Sequence, residues 1–78
     1  MVYCNYKSHT ESTVTYNYGG HPSDLTGVIV FNVDGSGFEV VKEPEADVVY
    51  TRSLRYLYNK YKADFSSRDF KSKISFES

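Results

Sequence analysis

The sequence predicts an α+β domain in which a three- to four-stranded antiparallel sheet carries one helix packed on one face. Three observations lead there. Hydrophobic periodicity changes from two residues to about 3.6 near Pro44. The segments GGHPSDL and DGSG, rich in turn-forming residues, cut the first half into strand-length runs. The 78 residues supply one small core, so a single domain over 1–78 is expected.

Along the chain, VYCNY reads as a first strand, and the polar KSHTES as a connection to the next. In STVTYNYGG, Val14, Tyr16 and Tyr18 alternate with Thr13, Thr15 and Asn17, which is the pattern of a half-buried strand near 13–18. TGVIVFNV and FEVVKE, separated by DGSG, predict a hairpin with strands near 27–33 and 38–43. An even-length loop would set Val33 opposite Phe38, Phe31 opposite Val40 and Ile29 opposite Lys42. One face then collects Ile29, Phe31, Val33, Phe38 and Val40. The other collects Val28, Val30 and Val41 with Asn32 and Glu39. Apolar side chains on both faces mark residues 28–33 as an interior strand.

Pro44 suits the first turn of a helix, and Glu45 and Asp47 favour its positive end. The spacing predicts a helix over 45–64 with Ala46, Tyr50, Leu54, Leu57, Tyr61 and Phe65 on the buried stripe. Val48, Arg52, Arg55, Asn59 and Lys62 lie opposite. Such a helix spans roughly 28 Å and a seven-residue strand roughly 23 Å, so one can lie across the other. The tail alternates Ile74 and Phe76 with polar residues and is compatible with a returning edge strand.

Composition narrows the classes of function. Nine basic and ten acidic residues give a net charge of −1, so no global field draws the chain to nucleic acid or an anionic membrane. One cysteine allows no internal disulfide, which suits a reducing compartment. No apolar run reaches the roughly 18 residues of a membrane span, and MVYCNYKSHTES has no apolar core of a signal peptide. A cytoplasmic protein that does not engage a membrane is expected. Eight tyrosines and five phenylalanines suit both strands and interfaces.

Asn32, Asp34, Ser36, Gly37 and Glu43 occupy positions 1, 3, 5, 6 and 12 of a calcium-binding loop of the EF-hand type. Against that minor reading of 32–43, Asn32 replaces the usual aspartate, and Glu39 occupies an aliphatic position. The incoming helix is replaced by HPSDLTGVIVF. Turn chemistry explains the same glycines together with the matched apolar faces. Cys4, His9 and His21 lack metal-site spacing, so neither a metal nor another cofactor is expected. His21, Ser23 and Asp24 are neighbours in a loop without the nested arrangement of a nucleophilic triad, and no phosphate-binding glycine motif occurs. Neither catalysis nor a small-molecule substrate is predicted.

Two surfaces stand out. Residues 45–78 carry seven basic and five acidic side chains, against two and five in 1–44. Arg52, Arg55, Asn59 and Lys62 could meet phosphates while Tyr56 and Tyr58 stack on bases. The other surface is the second face of the sheet, where one helix cannot also lie: Val28, Val30 and Val41, joined by Tyr16 and Tyr18. The C-terminal segment, a second copy of the chain, or a different protein would have to cover it. The sequence therefore predicts a non-enzymatic protein-binding module, such as a small accessory or inhibitor protein of a mobile genetic element. Nucleic-acid binding through the basic helix face is the alternative.

Overall fold

The computed structural model describes residues 1–77. Its elements are β1 (Val2–His9), β2 (Thr13–Gly19), β3 (Gly27–Asn32), β4 (Phe38–Lys42), α1 (Thr51–Ser66) and β5 (Lys73–Phe76). All neighbouring strands are antiparallel, in the order β4-β3-β2-β1-β5. The class is the predicted α+β, with five strands rather than three or four. The strands beyond the three in the middle are VYCNY and KISF, from the two ends of the chain, which pair with each other. Among the described residues, no helix is long and apolar enough to cross a membrane.

Residues directly opposite in antiparallel strands share a face, so the register sorts the side chains. Tyr16 pairs with Ile29 and Val14 with Phe31, while Cys4 pairs with both Tyr18 and Ile74. These residues, with Val2, are buried in one cluster with Leu54, Leu57, Tyr58 and Phe65 of α1. The Phe31 ring stacks on Tyr58 at 5.7 Å and on Phe65 at 5.0 Å, and Tyr16 meets Phe31 at 5.8 Å. Tyr16 and Tyr18 therefore belong to the core and not to the surface expected of them. The Tyr16 hydroxyl donates to the Lys71 carbonyl at 2.8 Å, which provides for its polar tip in the interior.

The β3–β4 hairpin pairs Phe31 with Phe38, Val30 with Glu39 and Ile29 with Val40. This register differs by two residues from the one the DGSG turn suggests. A shift of two preserves side-chain faces, so the predicted partition survives the wrong partners. The register slips next to Val28, which pairs with Lys42; Val41 is the unpaired extra residue of a bulge and is 60% exposed.

The helix begins at Thr51, not at residue 45. The Glu45 N–H donates to Thr26 Oγ1 at 2.8 Å, and the N–H groups of Ala46 and Asp47 donate to Asp24 Oδ2 at 3.0 and 3.2 Å. These donors would otherwise lie in the first turn, and two side chains from the β2–β3 loop hold them in a bent, non-helical path. Ala46 and Tyr50 consequently leave the predicted stripe, and Tyr50 is 71% exposed. Tyr58, expected outside, takes a buried place: its hydroxyl donates to the Asn32 carbonyl at 2.7 Å and accepts the Gly37 N–H at 3.3 Å. At the other end, Arg68 adopts a φ of 61° while its N–H donates to the Phe65 carbonyl. Its guanidinium donates to the carbonyls of Glu11 and Thr10, tying the helix end to the β1–β2 turn.

Gly19 shows how closely the β2–β3 loop lies over the sheet: a Cβ there would stand 1.5 Å from the Asp24 carbonyl oxygen. Backbone cannot move aside as a side-chain tip can, so Gly19→Ala should lose about 2 kcal/mol or more in denaturant unfolding. Gly35→Ala, where φ is 86° and nothing lies within 4 Å, should lose only the backbone strain of about 1–2 kcal/mol. Equal losses would contradict the close loop approach. Tyr16→Ala should lose about 3–5 kcal/mol, the range for emptying an aromatic core position.

Candidate functional site

The face of the sheet opposite Tyr16 and Phe31 can be read as rows. Glu39, Val30, Thr15 and Ser8 form one row across β4, β3, β2 and β1. Lys42, Val28, Asn17, Asn5 and Lys73 form the next, reaching β5. Gly19, Tyr3 and Ser75 form a third. Over Gly19 the β2–β3 loop crosses and closes one end of the face. Between this loop and β1 and β5 lies a cleft of about 250 Å³ bordered by Tyr3, Asn5, Pro22, Leu25, Lys73 and Ser75.

In the two complete rows the charged side chains stand on the outer strands, Glu39 and Lys42 on β4 and Lys73 on β5. The inner strands contribute Asn5, Ser8, Thr15, Asn17, Val28 and Val30, all uncharged. Val28 and Val30 are half-buried. Among the described residues, the side chains of Asn5, Thr15 and Asn17 make no hydrogen bond. Among the described residues, the C-terminal segment does not cover this face. It extends the sheet beside β1 and turns Ile74 inward to the core.

Of the residues expected at a protein-binding surface, Val28, Val30 and Val41 are thus accessible, while Tyr16 and Tyr18 are enclosed on the other side. Burial drives the Tyr18 hydroxyl pKa up to about 12 and the Tyr16 pKa up as well. Asn5 and Asn17, directly opposite one another, escaped the sequence reading. The signal for Asn17 was the polar side of the β2 alternation, read only as solvent-facing.

Arg52, Arg55, Asn59 and Lys62 are all exposed on α1, and none of the three cations forms an ion pair among the described residues. Neighbouring basic residues are engaged elsewhere: Lys71 with Asp69 at 2.7 Å and Asp64 at 3.3 Å, Lys60 with the Ser75 carbonyl, and Arg68 at the β1–β2 turn. The nucleic-acid arrangement also loses one of its stacking rings, because Tyr58 is buried.

Residues 32–43 form a hairpin and not a calcium loop. Asp34 Oδ1 accepts the Ser36 N–H at 2.9 Å, and the Asn32 N–H donates to the Gly37 carbonyl, closing the turn. Asp34 precedes β4 and Glu43 follows it, so the whole strand separates the two carboxylates. His21 Nδ1 meets Ser23 Oγ at 2.7 Å, but the Asp24 carboxylate accepts from Thr26, Ala46 and Asp47 and does not orient the imidazole. Among the described residues, no group of three or more His, Cys, Asp or Glu is disposed to hold a metal ion. Cys4 is buried, and desolvation raises its thiol pKa to about 12, far from the thiolate that nucleophilic chemistry requires.

Asp24 joins the loop bordering the open face to the β4–α1 connection. The Thr26 hydroxyl, followed by the Ala46 and Asp47 N–H groups, holds its carboxyl below the ordinary range. A lowered folded-state pKa means that its contribution is present above the unfolded value of about 3.9 and is lost as pH falls through the folded value. Asp24→Asn should therefore lower the Tm at neutral pH, with the gap to wild type closing below about pH 4. A gap that stays constant through the acid range would contradict a role for the carboxylate charge.

No protein-family model, curated protein or solved structure matches the chain.

Proposed function

We propose that this chain is a non-enzymatic protein-binding module, working inside the cell and meeting its partner through the second face of its sheet. The supporting observation is the arrangement of that face. An uncharged centre with half-buried valines and unpaired carboxamides and hydroxyls is framed by charges on the outer strands. Protein interfaces share that anatomy, with charge depleted at the centre and a polar rim. Layering the single helix on the opposite face leaves this one for a partner. A small accessory or inhibitor protein of a mobile genetic element is the kind of molecule that such a surface suits. One buried cysteine and no disulfide fit a reducing compartment.

A photo-crosslinking side chain at position 15, in the centre of the face, tests this reading in the cells that make the protein. Position 55 on the outer helix face serves as control. Protein adducts should form from position 15 and not from 55; the reverse pattern, or none from 15, would overturn it. Val30→Asp should abolish the adducts at position 15 while leaving the far-UV spectrum and Tm close to wild type.

Nucleic-acid binding is retained as a second reading on one observation, the unpaired cations Arg52, Arg55 and Lys62 on one exposed helix face. Phosphate contacts by these three would give a log–log salt slope of about −2 to −3. Arg52→Ala or Arg55→Ala would each reduce that slope by about one. Binding to DNA and RNA that is absent at low salt would remove this reading.

A further inference from the structure

We infer that the occupant of the open sheet face is a second copy of the same chain, its strands antiparallel to the first across a two-fold axis. The inference rests on the protein-binding reading above and names the partner. It comes from the order of side chains in the two complete rows. From β4 inward, one row runs Glu39, Val30, Thr15, Ser8 and the next Lys42, Val28, Asn17, Asn5.

Consider a two-fold axis that runs across the strands, midway between these rows, which lie about 7 Å apart. It places each row of one copy over the other row of its mate. Glu39 then faces Lys42, Val30 faces Val28, Thr15 faces Asn17 and Ser8 faces Asn5, and each pair occurs twice. Charge meets opposite charge, apolar meets apolar, and hydroxyl meets carboxamide. An isologous interface requires self-complementarity of this kind.

The other face-to-face arrangement, with the axis parallel to β2, places β4 of one copy over β5 of the other. It would bring Lys42 against Lys73, since both stand in the same row. Charge therefore selects between the two dimers. Lys42 also meets Glu45 at 3.1 Å within its own chain, but both groups are more than half exposed, and such a surface pair constrains little. Lys7, the unpaired residue of the β1 bulge, adjoins Ser8 at the end of its row, while Lys71 is held by Asp64 and Asp69.

The open area is about five strands wide and five residues long, on the order of 500 Å² per copy. That is about a tenth of the 4696 Å² surface, and two copies together bury on the order of 1,000 Å², near the lower limit for a specific interface. A reversible dimer with a Kd of about 10–100 μM is expected.

Sedimentation velocity on the full chain from about 5 to 500 μM, bracketing that Kd, tests the inference. Wild type should pass from monomer to dimer across the range. Glu39→Lys sets an ammonium group against Lys42 of the mate, and Lys42→Glu sets a carboxylate against Glu39, so each variant alone should associate at least about tenfold more weakly. Mixed in equal amounts they should pair with each other, because in the mixed dimer the two lysines of one variant face the two glutamates of the other, so both charged contacts are attractive. The double variant Glu39→Lys/Lys42→Glu should dimerise with itself again, since both charged contacts are restored with their signs exchanged. Circular dichroism verifies that each variant is folded, and the double variant controls for one that is not.

A wild type that stays monomeric throughout would overturn the inference. So would a dimer indifferent to both single substitutions, or a double variant that stays monomeric. A monomeric wild type that still crosslinks a different protein from position 15 would refute self-association while leaving the protein-binding reading in place; loss of both would refute both.

Discussion

A pleated sheet sends alternate side chains to opposite faces, and this chain has one helix of 16 residues to set against them. Everything else follows from which alternate set the helix meets. Phe31 is the centre of that contact, within 6.1 Å of Tyr16, Phe38, Tyr58 and Phe65. Pairing carries its choice of face outward: Val14 lies opposite Phe31, Ile29 opposite Tyr16, and Cys4 opposite Tyr18 and Ile74. Apart from Tyr3, the aromatic residues of the strands are thereby gathered on one side. The set left over, from Asn5 and Thr15 to Val28 and Val30, is smaller and uncharged, and it forms the second face.

Long-range polar contacts hold the ends of this arrangement. Asp24 takes backbone donors from Ala46 and Asp47, more than 20 residues away in sequence, and its own carbonyl fills the space that Gly19 leaves open. The loop is fixed above the sheet and the β4–α1 connection is fixed as a bent, non-helical segment. At the opposite end, Arg68 joins the helix terminus to the β1–β2 turn and the Ser66 hydroxyl donates to the Val33 carbonyl. Side chains that look like surface charge in the sequence thus position the layers. Lys60, Arg68 and Lys71 are engaged in this way, and Arg52, Arg55 and Lys62 remain on the outer helix face.

The sequence made some of this legible and concealed the rest for identifiable reasons. The two faces of the β3–β4 hairpin could be read as far as Val40 because a register error of two residues returns side chains to the same side; past the bulge, Lys42 moves from the expected Ile29 face to the Val28 face. The helix and its Leu54, Leu57 and Phe65 anchors could be read because periodicity survives an error in the helix start. Which face Tyr16 and Tyr18 share could not, since it depends on the pairing of β2 with β3 across a seven-residue connection whose path is set by Gly19 and Asp24. The late helix start was hidden for the same reason: Pro44, Glu45 and Asp47 favour a helix locally, and Asp24 and Thr26 override them from a distance. Asn5 and Asn17 drew no notice because a polar residue on a strand reads as solvent-facing until the second face is known to lack a cover.

The account depends on the core forming on one side of the sheet only, with Val28 and Val30 left accessible in the isolated chain. Methyl NMR with a soluble paramagnetic relaxation agent, in dilute solution where the chain is monomeric, tests this directly. The Val28 and Val30 methyls should relax strongly with added agent while those of Val14, Ile29 and Ile74 are protected. Equal protection of both sets would mean that the sheet is covered on both faces, and would contradict the account.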